Sequence, residues 1–108
     1  MPMTPPDLKE ATHVSITGRV QGVSYRAWTV KQASALGLEG WVRNRSDRSV
    51  EALFVGEKAI IDQMIEKCHA GPLMAQVASV SVLSRKPLRE MDEAVEDPAG
   101  TFRQLPTV

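Results

Sequence analysis

From residue 12 onward, apolar and polar positions alternate. Val14, Ile16, Gly18 and Val20 fall on one side, and His13, Ser15, Thr17 and Arg19 on the other. A period of two is that of a half-buried strand. Gln21-Gly22 reads as a turn. The period then lengthens: Tyr25, Thr29, Ala33 and Leu36 recur at helical spacing and predict a helix over 24–36. Gly37 closes it as a left-handed cap, with Leu38 placed for the hydrophobic contact that accompanies such caps. Residues 40–44 read as a second strand, 45–48 as a polar turn, and 49–55 alternate again to close a hairpin. After Gly56, the positions Ile61, Met64, Ile65 and Cys68 predict a second helix over 57–69, ended by Gly71-Pro72. The valine- and serine-rich stretch 76–83 reads as a fourth strand. Residues 85–100, charged and holding Pro87 and Pro98, read as a long loop. Residues 101–105 read as a short edge strand that Pro106 stops.

The order β-α-β-β-α-β predicts an α+β fold, the ferredoxin-like split β-α-β sandwich. Its antiparallel sheet of four to five strands carries two helices on one face. A chain of 108 residues fits one small domain. The expected organisation is a flexible N-terminal tail over 1–10, where Pro2, Pro5 and Pro6 break any period, and a single domain over 11–108.

Charge and cysteine content narrow the function. Thirteen Lys and Arg are balanced by thirteen Asp and Glu, so the basic excess of a general nucleic-acid binder is missing. No apolar run is long enough to span a bilayer and no signal-peptide pattern opens the chain, so no membrane partner is expected. Cys68 is the single cysteine, which forbids an intrachain disulfide and makes a reducing, cytoplasmic location the expectation. Cys68 falls on an apolar helix stripe and reads as a small buried hydrophobe. His13 and His69 show no metal-ligand spacing and read as surface residues. Trp28 and Trp41 read as packing residues.

One segment carries chemistry: Gly18-Arg19-Val20-Gln21-Gly22-Val23-Ser24-Tyr25-Arg26. A strand enters a tight turn, and the turn opens a helix with an arginine in its first turn. The partial positive charge of a helix N-terminus makes that arginine locally unfavourable unless an anion joins it. Backbone N–H groups of a glycine-containing turn and a new helix form a ready anion site. Taken alone, Arg26 reads as a surface helix residue and Asn44 as a turn cap. Their neighbours change that reading.

A second segment, Leu36-Gly37-Leu38-Glu39-Gly40-Trp41-Val42-Arg43-Asn44, follows one helix later. Together the two resemble the acylphosphatase family, whose pattern is a Gly-x-Val-Gln-Gly-Val-x-Phe-Arg loop followed by Leu-Gly-Leu-x-Gly-Trp-Val-Arg-Asn. The resemblance covers roughly residues 13–83. It implies hydrolysis of a small-molecule acyl phosphate to a carboxylate and inorganic phosphate by a monomer, without cofactor, metal or covalent intermediate. By match to the motif, Arg26 binds the phosphoryl group and Asn44 orients the attacking water. The loop of Gln21, Gly22, Val23, Ser24, Tyr25 and Arg26 surrounds the phosphate oxygens with its backbone. The chemistry is consistent on its own terms: a carboxylate leaving group is a weak base and needs no strong general acid. Asparagine does not titrate near neutrality but can hold a water by hydrogen bonds.

The chain departs from the family pattern at three places. Ser24 stands at a variable loop position, and Tyr25 replaces the usual phenylalanine. Arg48 occupies a turn position where the family usually has glycine, and if positive φ is required there, arginine costs roughly 1 kcal/mol. Besides these three, the tail after Phe102 also lacks the family's frequent aromatic end. Two other readings share the fold: a non-catalytic anion-binding or regulatory module, and an RNA-binding domain. RNA binding calls for aromatics on the first and third strands and a basic surface, whereas the first strand shows His13, Ser15 and Thr17.

Overall fold

The computed structural model describes residues 9–87 and 101–108. Its elements are β1 (Lys9–Arg19), α1 (Tyr25–Ala35), β2 (Glu39–Asn44), β3 (Val50–Glu57), α2 (Lys58–Ala70), β4 (Gln76–Pro87) and β5 (Phe102–Gln104). They form one five-stranded sheet in the order β4-β1-β3-β2-β5. The first and third strands pair at the centre, as a split β-α-β order requires. β1 and β2 both run antiparallel to β3, and β4 antiparallel to β1. The sheet expected as antiparallel is in fact mixed, because β5 pairs with β2 in parallel. The carboxyl ends of β1, β2 and β5 therefore lie at one end of the sheet, where α1 also begins.

The alternating side chains of β1 divide as the pattern predicts. Val14 and Ile16 are fully buried beneath the helices, with Tyr25 and Ala33 of α1 and Ile61, Met64 and Cys68 of α2. Val42, Ala52 and Phe54 complete that core from β2 and β3, and Phe102 of β5 stacks on Phe54 at 5.5 Å between ring centroids. β3 is buried on both faces, since Leu53 and Val55 pack with Ala11 on the far side under Trp41. At Gly18 β1 carries a bulge against β4. The φ there is +118°, and a Cβ would sit 2.3 Å from the Gln76 carbonyl oxygen, so only glycine fits.

The bounds of two strands and the setting of one histidine differ from the sequence reading. β1 begins at Lys9, so Lys9 and Glu10 join the sheet opposite Glu57 and Gly56 instead of the tail. The remainder of the expected tail, 1–8, lies outside the described residues. β4 runs on to Pro87, taking Arg85 from the expected loop. Arg85 reaches Glu10 and Asp62, each at 2.7 Å, which anchors the strand end to β1 and α2. The rest of that loop, 88–100, also lies outside the described residues. His13 is not a free surface residue. It hydrogen-bonds Glu51, which also accepts Arg43 Nε at 2.7 Å and Arg45 Nη1 at 3.1 Å.

Candidate active site

The loop after β1 sets the site. Gly22 has φ +76°, and a Cβ built there meets nothing, so the requirement for glycine is conformational. Ser24, at the start of α1, is left-handed at φ 65° and ψ 27°. A left-handed residue followed by helical ones turns successive N–H groups toward one point, a concavity suited to an anion. Ser24 gives no side-chain cap, and the first turn of α1 holds no acidic residue. The helix start thus keeps its positive end uncompensated, and Arg26 adds a cation to it.

These groups face a cavity of about 400 Å³ lined by Val20, Gly22, Ser24, Tyr25, Arg26, Ala27, Asn44 and Gln104. Arg26 and Asn44 come together because β1 and β2 end on the same side of the sheet. Asn44 is the last residue of β2 and shares its helix-facing side with Val42. Its Oδ1 is buried and accepts no hydrogen bond from any of the described residues. A buried acceptor without a donor is costly in a finished interior, and a water or ligand supplying that donor removes the cost.

Gln21 and Val23 of the expected loop do not line the cavity. Val23 packs on the core. The Gln21 side-chain amide turns toward the β2–β3 turn and donates to the Arg45 and Ser49 carbonyls, each at 2.8 Å. Across the same turn Asp47 accepts from Ser49 N at 2.9 Å and Ser49 Oγ at 2.6 Å, and these bonds hold its carboxyl below the usual range. Arg43 does not reach the cavity either, since its guanidinium lies on the opposite face with Glu51 and 4.8 Å from the Trp41 ring.

Two contacts brace the cavity from behind. Tyr25 is buried, and its hydroxyl donates to the Cys68 carbonyl at 2.6 Å, tying the start of α1 to the end of α2. The hydroxyl absent from the family's usual phenylalanine thus has a partner, and burial pushes the phenol far above its ordinary range. Arg26 Nη1 donates to the Leu105 carbonyl at 3.2 Å, which fixes the guanidinium against the C-terminal segment. That segment and Gln104 were missed as cavity lining by the sequence reading, because no local pattern announces which strand β5 joins. Among the described residues no cluster of three His, Cys, Asp or Glu side chains converges as a metal site. None of the described helices is long and apolar enough to cross a membrane.

The sequence model of the acylphosphatase family matches residues 12–94. The chain belongs to the acylphosphatase family. An acylphosphatase of Nitrobacter hamburgensis is 45% identical over 95 residues, covering 88% of this chain and 93% of its own. One from Trichormus variabilis is 50% identical over 84 residues, covering 78% of this chain and 83% of its own. The solved structure of an acylphosphatase from Coxiella burnetii superposes with a TM-score of 0.73 at 34% identity, covering 90% of this chain and 93% of that one. The activity of this acylphosphatase is therefore hydrolysis of acyl phosphates to a carboxylate and inorganic phosphate.

Proposed function

We propose that Arg26 and the amides of the loop residues that line the cavity, Gly22, Ser24, Tyr25 and Arg26, bind the phosphoryl group and that Asn44 orients the water that attacks it. The carrying observation is the buried, unpartnered Asn44 Oδ1 in the same cavity as Arg26. One O–H of a water donates to that oxygen, leaving a lone pair on the water directed at phosphorus. A new O–P bond forms as the bond from phosphorus to the acyl oxygen breaks, and its electron pair leaves with the carboxylate. The water proton passes to a phosphate oxygen of the substrate itself, since the carboxamide takes none. Phosphoryl transfer of this kind asks chiefly for positioning and charge stabilisation, and the guanidinium with converging N–H groups supplies both. The protein acts as a monomer in the cytoplasm, with no metal and no covalent intermediate.

The test is hydrolysis of benzoyl phosphate, followed by ultraviolet absorbance with a metal chelator present. Wild type turns over, and Arg26→Ala and Asn44→Ala keep wild-type circular dichroism but lose activity about a hundredfold or more, the scale for a preorganised transition-state contact. Folded alanine variants with near-wild-type turnover would remove both residues from the mechanism. Loss of wild-type turnover on chelation would replace the metal-free scheme.

A further inference from the structure

Arg26 and the loop account for the phosphoryl end of the substrate and Asn44 for the water, which leaves the acyl end without a partner. Gln104 lines the same cavity from β5. Its register partner in the parallel pair is Val42. Gln104 therefore lies on the helix-facing side of the sheet, the side that Asn44 also occupies at the end of β2. The next residue holds the strand in place twice: Leu105 N donates to the Val42 carbonyl at 2.8 Å, and the Leu105 carbonyl accepts from Arg26 Nη1 at 3.2 Å. Gln104 is thus fixed in backbone beside the anchored guanidinium. Its side chain is exposed, and among the described residues nothing hydrogen-bonds its carboxamide.

We propose that Gln104 is the acyl-side residue of the site, its Nε2–H donating to the carboxylate that forms as the bond to phosphorus breaks. Before cleavage the acyl end is a neutral carbonyl. The departing electron pair spreads over both carboxylate oxygens, so a donor placed there is worth more in the transition state than in the bound substrate. A carboxamide meets this need without adding a second cation beside Arg26, and its own oxygen is free to turn outward. The assignment rests on the phosphoryl end lying at Arg26 and the loop.

The experiment uses the full chain with Gln104→Ala and Gln104→Glu. Acetyl phosphate and a series of ring-substituted benzoyl phosphates are the substrates, and inorganic phosphate is the inhibitor without an acyl end. Gln104→Ala should lower kcat/KM about tenfold, the loss expected of one exposed donor to a developing charge. The loss should grow across the series as the leaving carboxylate becomes more basic. Gln104→Glu should lose more, because a fixed carboxylate repels the departing one. Phosphate inhibition should stay at the wild-type value in both variants. Wild-type kcat/KM in Gln104→Ala would overturn the proposal. So would a loss that ignores the leaving group, or one matched by weaker phosphate inhibition, which would mark Gln104 as a support for Arg26. An Arg26→Ala control separates the premise from the inference. If phosphate inhibits that variant as well as wild type, the phosphoryl end has been misplaced and the assignment of Gln104 falls with it.

Discussion

At Arg48 the backbone sits at φ 77°, in the left-handed region where a side chain with a Cβ is strained. The family's usual glycine at this turn position is explained by that angle, and this chain carries the strain instead. Arg48 lies outside the cavity lining. Arg48→Gly should therefore raise stability by about 0.5–1 kcal/mol, partly offset by the looser unfolded chain, with hydrolysis unchanged. Urea unfolding of the two proteins checks the gain, and a lower midpoint for the glycine variant would contradict it. Ser24 shares the left-handed conformation but lies in the loop and lines the cavity. Cys68, buried between the helices and the sheet, has its thiol pushed up to about 12 by burial, so it packs as a small apolar group.

Among the elements, the loop after β1 and the β2–β3 turn are joined by the two hydrogen bonds from the Gln21 amide. Gln21→Ala should cost about 1–2 kcal/mol of stability, the net worth of two such bonds, and should weaken inhibition by inorganic phosphate as the loop loosens. Calorimetry and inhibition constants test both effects, and unchanged phosphate inhibition would show that the loop holds its shape unaided. The elements themselves were legible in the sequence where burial on one face imposes a period. β1, α1 and α2 each show their buried stripe at Val14 and Ile16, at Tyr25, Thr29 and Ala33, and at Ile61, Met64 and Cys68. Arg26 and Asn44 were legible because they stand inside two long motifs, and the topology brings them to one cavity. What escaped was set by partners distant in the chain. Arg85 looked like loop because its charge is compensated by Glu10 and Asp62, which no local pattern reveals. His13 looked solvated for the same reason, its partner Glu51 being on another strand. The parallel pairing of β5 depends on β2 presenting an open edge, a property of the assembled sheet.

For the molecule as a whole, Glu51 joins three strands on the face away from the helices, taking His13 from β1, Arg43 from β2 and Arg45 from the turn. Burial alone would raise its carboxyl, but the bonds from Arg43, His13 and Arg45 outweigh it and hold the group below the ordinary glutamate range. A carboxyl lowered in the folded state lends stability that is complete above its unfolded value and lost as pH falls through the folded one. Stability owed to this group should therefore hold from pH 7 to about 5 and decline below about 4.5. Glu51→Gln should lose about 1–3 kcal/mol at pH 7 and show a shallower acid decline in urea titrations. An equal decline in both proteins would assign the acid loss to other carboxyls. The bond between Arg26 and Leu105 joins residues 79 positions apart, and this bears on how the chain reaches its working form. Contacts between distant segments form late, since the intervening loop must close before they give any return. A refolding chain can assemble β1, β3 and both helices while the wall supplied by β5 is still missing. Closure of the cavity wall by β5 is thus expected to come late, so hydrolysis regained during refolding should lag behind the return of helical circular dichroism.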